Sequence, residues 1–291
     1  MREIVVISGK GGTGKTSLTA SFAMLGGEDV VVADCDVDAA DMHLLLKPEI
    51  HKSEDFFSGQ TAKIDQNLCN QCGKCAEVCR FDAIPFEDEK YIVSPLDCEG
   101  CGYCSLICPT EAITMEDQNV GKWNVSKTKA GNTLVHARLN IGAENSGKLV
   151  AKVKNEAKRI AEQDKLDWIL VDGSPGVGCP VVSSLAGASF VILVTEPTVS
   201  GIHDLIRVYK LVKKFNIRAG CIINKYDLNI EKTKEILDFL KEEKIVHLAN
   251  LPYDESFVEA MSQGETIVEY DDGELNAILT KSWDTIKQIL N

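Results

Sequence analysis

The sequence predicts an α/β protein built on a doubly wound, mostly parallel sheet with helices on both faces, carrying a small inserted α+β domain. Three observations support this fold class. Short apolar runs alternate with segments of helical periodicity along most of the 291 residues. A glycine-rich loop joins the first apolar run to the first helix. Eight of the eleven cysteines fall between residues 69 and 108, which marks a separate region.

Composition limits the classes of partner. The chain is long enough for one large domain and a small one. Its net charge of −13 argues against general affinity for nucleic acid or for an anionic membrane. Because no signal peptide or membrane-spanning run is evident, we expect a cytoplasmic protein that binds neither nucleic acid nor membrane. Cysteines stay reduced in that compartment, so metal binding or catalysis should account for most of them.

The first element is a strand followed by a phosphate-binding loop. Residues 4–7 are β-branched and apolar, and Gly9-x-x-x-x-Gly14-Lys15-Thr16 follows in strand–loop–helix order. Glycines let backbone N–H groups approach a polyphosphate, Lys15 reaches the β- and γ-phosphates, and the Thr16 hydroxyl can hold Mg²⁺. The predicted nucleotide-binding residues are Gly9, Lys10, Gly11, Gly12, Thr13, Gly14, Lys15, Thr16 and Ser17.

A second lysine narrows the class of loop. With Lys10 the loop reads Lys-Gly-Gly-Thr-Gly-Lys-Thr, which resembles the deviant Walker A loop of the MinD/ParA/Mrp/nitrogenase-iron-protein ATPases. The resemblance covers essentially the whole chain and implies ATP hydrolysis in a nucleotide-dependent homodimer or paralogue heterodimer. In that family the extra lysine touches the partner's nucleotide. The alternative is that Lys10 is an ordinary solvated loop lysine.

The second predicted strand, residues 30–33, ends in a cluster of acidic residues. Asp34, Asp36 and Asp38 lie at the carboxyl end of this strand, where ligand sites of parallel sheets collect. The resemblance places the switch I aspartate, which orients the attacking water, at Asp36. Asp34 and Asp38 either face the Mg²⁺ site or belong to a solvated acidic turn. Cys35 is expected to be a small buried residue.

Two cysteine runs follow a polar segment, residues 51–60, that we expect to be a linker. Each run has the spacing Cys-x2-Cys-x2-Cys-x3-Cys, and the second ends in Cys-Pro. This is the pattern of bacterial two-cluster ferredoxins, in which the fourth cysteine of each run ligates the other [4Fe–4S] cluster. The predicted ligands are Cys69, Cys72, Cys75 and Cys108 for cluster one, and Cys98, Cys101, Cys104 and Cys79 for cluster two.

An internal repeat supports the ferredoxin prediction. The two runs are offset by 29 residues (98 − 69), and the same offset pairs Gly73 with Gly102 and Ile84 with Ile113. The alternative, two zinc sites, usually pairs short Cys-x2-Cys knuckles across a longer gap. Arg80 departs from the pattern, which has proline after the fourth cysteine. We predict a ferredoxin domain over 58–118 and an ATPase domain over 1–57 and 119–291.

The chain beyond the cysteine runs returns to the α/β pattern. Residues 122–142 predict two strands around a turn, and residues 142–148 predict a connecting loop. The strand 168–171 ends in Asp172, which fits a Walker B aspartate that supports Mg²⁺. The Pro-Gly turn after it resembles switch II of Mrp- and MinD-type ATPases. Cys179, at its end, is either a packed small residue or a redox or cluster contact at the dimer face.

The nucleobase site has two interpretations. Asn224-Lys225-Tyr226-Asp227 matches the base-recognition motif of GTPases, whereas the resemblance to MinD keeps only Asn224 and implies adenine. The resemblance also places Pro252 beside the adenine. We therefore favour ATP over GTP. The C-terminal helix has an apolar face but only two basic residues, so we expect it to pack on the core and not on a membrane.

Three functions remain open at this point. The first is an ATP-gated electron carrier, analogous to the nitrogenase iron protein, that passes electrons through two [4Fe–4S] clusters to an unidentified redox partner. The second is an iron–sulfur or metal delivery ATPase of the Mrp type, and the third is a ParA/MinD-like regulatory or positioning switch. Mrp-type carriers have a Cys-x-x-Cys near the C-terminus, but no cysteine follows Cys221 here. We therefore favour electron transfer.

The predicted catalytic residues are Lys10, Lys15, Asp36 and Asp172. Members of this superfamily are sometimes labelled cobyrinic acid a,c-diamide synthase-like, and nothing in these residues supports that label.

Overall fold

The computed structural model describes residues 1–143 and 146–291. Its contacts divide the chain into two units. The sheet unit comprises Met1–Glu54, Trp123–Arg138 and Ser146–Asn291, and the cysteine unit comprises Asp55–Lys122 and Leu139–Asn145. The domain limits of 58 and 118 stay a prediction. Part of the connecting loop expected over 142–148, Glu144 and Asn145, lies outside the described residues.

The strands form one large sheet and one small one. Their order in the large sheet is β11-β10-β9-β1-β8-β2-β7-β6-β3, while β4 and β5 pair with each other. The strands are β1 (Arg2–Ser8), β2 (Val30–Asp34), β3 (Glu49–Ile64), β4 (Phe86–Glu87), β5 (Lys90–Tyr91), β6 (Ile113–Lys127), β7 (Thr133–Leu139), β8 (Trp168–Asp172), β9 (Phe190–Thr195), β10 (Arg218–Asn224) and β11 (Val246–Leu251).

The α-helices lie between these strands and after the last one. They are α1 (Lys15–Gly26), α2 (Met42–Leu46), α3 (Lys74–Val78), α4 (Tyr103–Ile107), α5 (Ser146–Asp164), α6 (Cys179–Leu185), α7 (Val199–Lys214), α8 (Ile230–Glu242), α9 (Ser256–Gln263), α10 (Ile267–Tyr270) and α11 (Glu274–Leu290). Among the described residues, no helix has the length and apolar character needed to cross a bilayer.

The centre of the large sheet is parallel and completely buried. Strand β1 pairs in parallel with β8 and with β9, and β2 pairs in parallel with β8 and with β7. Residues Ile4 to Ile7 of β1 have no solvent exposure, because helices cover both faces of a parallel sheet. The continuous apolar runs in the sequence therefore correspond to strands buried on both faces, and the polar residues that follow them lie at one edge of the sheet.

The segment expected to be a linker is part of a strand, so that prediction is wrong. Residues 51–60 lie within β3, the last strand in the sheet order. Most side chains of β3 are exposed, and its first seven residues are all exposed and mostly polar. No apolar alternation marks such a strand in the sequence, and its backbone hydrogen bonds with the neighbouring β6 define it instead.

The cysteine unit has an internal repeat in structure as well as in sequence. Helices α3 and α4 begin 29 residues apart, after Gly73 and Gly102, whose φ angles are 76° and 75°. A side chain is disfavoured at such angles, which explains glycine at both positions. The main buried cluster of the unit is small and consists of Ala62, Cys75, Ile84, Cys104 and Ile113, and Ala83, Ala112 and Val120 are buried as well.

The C-terminal helix α11 packs on the core of the sheet unit, as its periodicity predicts. It buries Leu275, Leu279, Trp283 and Ile286. The Trp283 ring stacks on Phe22 of α1 with 5.6 Å between ring centroids. This packing uses the apolar face that the sequence shows.

Candidate functional site

The phosphate-binding loop lies between β1 and α1 and has a backbone that requires glycine. Gly12 and Gly14 have φ angles of 78° and 91°. A Cβ atom added to Gly9 would lie 2.5 Å from backbone atoms of Asp204, so no side chain fits there. The loop therefore has the close backbone approach that a polyphosphate site needs, and Lys15 is the first residue of the helix.

Lys15, Thr16, Asp36 and Asp172 meet in what we call the ionic centre. The Lys15 Nζ atom lies 2.9 Å from Asp172 Oδ1 and 3.3 Å from Asp36 Oδ2. The Thr16 hydroxyl donates to Asp172 Oδ2 at 2.8 Å. Thr19, which the sequence analysis missed, donates to Asp172 Oδ1 at 2.9 Å. The structure thus brings together the predicted residues of the loop, switch I and Walker B.

The ionic centre has more negative than positive charge. Burial acts to lower the pKa of Lys15, but Asp172 and Asp36 outweigh it, so the pKa is raised and the lysine stays charged. Burial, with the nearby Asp172, raises the pKa of Asp34 well above its usual value. Burial also raises the pKa of Asp36, against the opposing effect of Lys15. The carboxyl groups of Asp36 and Asp172 share one ammonium group, and carboxylate and hydroxyl oxygens are the ligands that Mg²⁺ prefers.

The loop also contains a buried hydroxyl without a partner. Thr13 is 2% exposed, and its Oγ1 atom has no hydrogen-bond partner among the described residues. An unpaired buried hydroxyl is costly, and Thr13 lies outside the lining of the cavity at this loop. A cavity of about 520 Å³ opens at the loop, and its lining includes Lys15, Thr16, Asp36 and Asp38. This lining fits a bound polyphosphate with its cation.

The predicted nucleobase residues lie outside the lining of this cavity. The Asn224 Nδ2 atom donates to the Thr13 carbonyl oxygen at 2.9 Å, so Asn224 supports the phosphate-binding loop. Asp227 Oδ1 accepts the backbone N–H of Tyr253 at 2.7 Å, which joins the end of β10 to the segment after β11. Pro252 is in that same segment. Asn224 and Asp227 therefore both hydrogen-bond to backbone groups of the same chain.

Lys10 is paired within its own chain. Its Nζ atom lies 2.6 Å from Glu196 Oε1 and donates to Ser200 Oγ at 3.1 Å, with the lysine side chain 31% exposed. Lys225 also lies near Glu196, with 3.6 Å between Nζ and Oε2. Sequence reasoning missed Glu196, although its place directly after β9 was a usable signal, since polar residues at the carboxyl ends of strands form the ligand edge of the sheet.

The segment after Asp172, which is predicted to be switch II, is joined to the ligand edge by two hydrogen bonds. Ser174 Oγ donates to the Cys35 carbonyl oxygen at 2.8 Å, and the Gly176 N–H donates to the Ser8 carbonyl oxygen at 2.9 Å. The first bond connects the segment after Asp172 to the acidic turn that carries Asp36. The two segments are therefore in direct contact.

The three cysteines outside the two runs differ in environment. Cys35 and Cys221 are buried, and burial raises the pKa of both thiols, so neither is a reactive thiolate. Cys179 is exposed and is the first residue of α6. This exposure contradicts the prediction of a packed small residue, while the redox or cluster contact stays a prediction.

The eight clustered cysteines line two separate cavities in the cysteine unit. Cavity one is lined by Cys69, Cys72, Cys75 and Cys108, and cavity two is lined by Cys79, Cys98, Cys101 and Cys104. The fourth cysteine of each run thus lies with the first three of the other run. Among the described residues, no three His, Cys, Asp or Glu side chains are placed to hold a single metal ion.

Sequence comparisons identify relatives of this chain. The family model of the CobQ/CobB/MinD/ParA nucleotide binding domain matches residues 4–267. An uncharacterised protein of Methanocaldococcus jannaschii is 36% identical over 229 residues, which cover 78% of this chain and 79% of that protein. The septum site-determining protein MinD of Synechocystis is 25% identical over 277 residues, covering 92% of this chain and 82% of that protein.

Solved structures share the fold. The septum site-determining protein MinD of Pyrococcus horikoshii, complexed with Mg-ADP, superposes with a TM-score of 0.59 at 21% identity, covering 100% of this chain and 97% of that one. The ATP complex of Cyanothece McdA has a TM-score of 0.59 at 14% identity, covering 100% and 96%. At these identities the likeness shows the fold alone, which is the mostly parallel α/β fold of MinD-type P-loop proteins.

Proposed function

This chain belongs to the CobQ/CobB/MinD/ParA nucleotide-binding family, and we propose that it is a Mg²⁺-dependent, ATP-hydrolysing switch of the MinD/ParA type. The observation that carries the proposal is the ionic centre, in which Lys15 contacts Asp172 and Asp36 at the start of α1. Of the three functions that the sequence left open, the comparisons favour the regulatory or positioning switch, and they lend no support to electron transfer.

The proposed chemistry begins with exchange of partners at Lys15. A triphosphate in the loop would compete with both carboxylates for the Lys15 ammonium, because phosphate oxygens are strong charged acceptors. Asp172 and the Thr16 hydroxyl would then be left to hold Mg²⁺, which neutralises charge on the β- and γ-phosphate oxygens when bound. Asp36 would orient the attacking water and accept its proton, and its raised pKa makes its carboxylate a stronger base.

The switch would operate through the two loops that meet at the ionic centre. Because Ser174 Oγ is bonded to the Cys35 carbonyl oxygen, contacts made by the γ-phosphate on the Asp36 side are transmitted to switch II. Loss of the γ-phosphate removes those contacts, and Lys15 returns to its carboxylates once the nucleotide with its β-phosphate has left. Nucleotide state and loop position are coupled because the phosphate interacts differently with the two arrangements.

We propose ATP as the nucleotide, with a second copy or a paralogue as the partner. Asp227, which a GTPase would use on guanine, already has one carboxylate oxygen engaged by the Tyr253 N–H, and this supports adenine. Lys10 would leave Glu196 and Ser200 to reach the partner's nucleotide. The relative from Aquifex aeolicus whose fold this chain shares is described as a MinC:MinD complex, which supports action through a partner.

The cysteine cavities favour a second candidate function, in which the switch gates electron transfer through two [4Fe–4S] clusters. Each cavity is lined by four thiols in the crosswise set that a two-cluster ferredoxin uses. The Ala83 N–H donates to Cys79 Sγ at 3.4 Å, a backbone hydrogen bond of the kind that stabilises a cluster thiolate. A cluster of four irons takes one thiolate per iron, so its ligands need not converge on a single ion. The clusters would supply reversible one-electron transfer.

The main proposal is tested by measuring nucleotide hydrolysis and the oligomeric state of the protein. We expect Mg²⁺-dependent hydrolysis of ATP in preference to GTP, lost on chelation of Mg²⁺, together with a shift from monomer to dimer under ATP and not under ADP. Light scattering and phosphate release measure both. Hydrolysis of GTP as fast as ATP would contradict the assignment of adenine. An absence of both hydrolysis and dimerisation would contradict the switch.

The second candidate has its own test. Protein prepared without oxygen should contain eight irons and give an EPR signal after reduction, and ATP, but not ADP, should change the rate of cluster reoxidation. An Asp36→Asn variant should keep the iron and lose the ATP effect. Stoichiometric zinc in place of iron would contradict the assignment of [4Fe–4S] clusters. Equal reoxidation rates in all nucleotide states, with clusters present, would leave the switch uncoupled from the cysteine unit.

A further inference from the structure

The two cysteine cavities are related by the 29-residue repeat, but their linings are not electrically equivalent. Four pairs of equivalent positions differ in charge or polarity. Asn70 of cavity one corresponds to Glu99 of cavity two, Lys74 to Tyr103, Thr110 to Phe81, and Tyr91 to Ala62. Cavity one therefore has an added cation and two hydroxyl groups, on Thr110 and Tyr91, whereas cavity two has an added anion and one hydroxyl group, on Tyr103.

From this difference we propose that cluster one, in cavity one, has a higher reduction potential than cluster two, so that the first electron taken up by the cysteine unit settles on cluster one. The inference rests on the proposed clusters. Each cluster takes one electron from a low-potential one-electron donor, which changes its core from 2+ to 1+ and adds one negative charge. The Lys74 ammonium stabilises that added charge, and the Glu99 carboxylate disfavours it.

The hydroxyl of Thr110 acts in the same direction. Its Oγ1 atom lies 3.7 Å from Cys108 Sγ, within reach for a hydrogen bond to sulfur. A thiolate cannot donate, so the hydroxyl would donate to it and withdraw charge from the ligand, which raises a cluster's potential. Phe81, the equivalent residue near Cys79, has no donor. The Ala83 N–H donates to Cys79 Sγ at 3.4 Å, so cavity two has one backbone donor that opposes this difference.

Charges elsewhere on the repeat do not reverse this order. Arg80, next to Cys79, would raise the potential of cluster two, and Glu77 nearby would lower it. Both side chains are exposed and lie outside the two cavity linings, so water screens them. Lys74 and Glu99 are also exposed, which reduces each effect, but they line the cavities and act in the same direction as Thr110.

The test is an anaerobic redox titration with dithionite and mediators, followed by EPR, on the full chain after iron analysis. We expect two one-electron waves. Lys74→Gln and Thr110→Val should lower the potential of the higher wave alone, and Glu99→Gln should raise the potential of the lower wave alone. Phe81→Thr, which copies the hydroxyl into cavity two, should also raise the lower wave. None of these changes removes a ligand.

The matched control is Lys63→Gln, which removes an exposed cation of the same unit that pairs with Glu116 and lines neither cavity. It should move neither wave. In protein that contains eight irons, two outcomes would overturn the proposed order of potentials. They are a single wave for both clusters and a Lys74→Gln shift confined to the lower wave. Protein that binds no iron would instead overturn the clusters, and the order of potentials with them.

Discussion

The ionic centre and the cysteine cavities are built in opposite ways. Lys15 and Asp172 are 6% and 0% exposed, and they are paired with each other within the chain. In the cysteine unit, Cys72 and Cys101 are exposed, and two of the five residues of the main buried cluster, Cys75 and Cys104, are proposed ligands. The nucleotide site is therefore held by a large core, whereas the small core of the cysteine unit consists partly of its own site.

This contrast indicates where stability comes from in each unit. A parallel sheet with helices on both faces buries enough apolar surface to position charged groups without a ligand. A small unit with few buried residues usually depends on metal or disulfides, because the binding free energy of the metal becomes folding free energy. We expect ligand removal to have very different consequences for the two units.

The largest expected effect follows removal of iron from the cysteine unit. Chelation of the iron should unfold residues 55–122, and limited proteolysis should then cut within that range, while the sheet unit keeps its affinity for ATP. Removal of Mg²⁺ alone, as the matched control, should leave the proteolysis pattern of the cysteine unit unchanged. Equal protease resistance with and without iron would show that the unit folds independently and would break the contrast.

The next effect concerns the ionic centre. Lys15→Ala should reduce kcat for ATP by about 10²–10³-fold, because a preorganised charged donor to the phosphates is lost. Lys158→Ala removes an exposed lysine of α5 and should leave the rate unchanged. Phosphate release measures both variants, and circular dichroism checks that they fold. An unchanged rate in Lys15→Ala would exclude this lysine from catalysis.

A third prediction concerns pH and the sheet unit. Burial, with a smaller effect of His43, lowers the pKa of His136 from 6.5 to about 4, and its Nε2 lies 2.9 Å from Ser126 Oγ. The unfolded chain takes up a proton as pH falls below 6.5, while the folded chain does not until about pH 4. Stability should therefore fall by roughly 3 kcal/mol between pH 7.5 and 4 through this group.

His136→Asn should flatten that part of the stability profile, as measured by urea unfolding at a series of pH values. His203→Asn changes a 70% exposed histidine and is the control. A wild-type slope that persists unchanged in His136→Asn would assign the acid sensitivity to other groups.

The smallest expected effect concerns the tether of Lys10. Glu196→Gln should free Lys10 and strengthen ATP-dependent dimerisation by no more than about fivefold, because a partly exposed ion pair contributes about 1 kcal/mol or less. Lys10→Ala should weaken dimerisation and largely spare nucleotide binding by the monomer. Sedimentation under ATP measures both. Weaker dimerisation in Glu196→Gln would mean that the pair supports the active arrangement of the loop.

The sequence predicts most of the sheet unit because its signals are local. Continuous apolar runs mark the buried strands, and the spacing of glycines around Lys15 marks the phosphate-binding loop. The segment 51–60 was misassigned because β3 is mostly exposed and its first part has no apolar periodicity. Its hydrogen bonds come from a neighbouring strand that lies far away in sequence.

The amino-acid sequence by itself determined the residue types of both sites, their order along the chain and the 29-residue repeat of the cysteines. Only the tertiary structure decided which side chains meet. Lys15 and Asp172 are 157 residues apart, and they come together because β1 and β8 are adjacent parallel strands whose carboxyl ends share one edge. Thr19, which donates to Asp172, and Glu196, which pairs with Lys10, also gain their roles only from the tertiary structure. Contacts across a sheet depend on the order of its strands. Backbone pairing between strands specifies that order, and local periodicity in the sequence does not specify it.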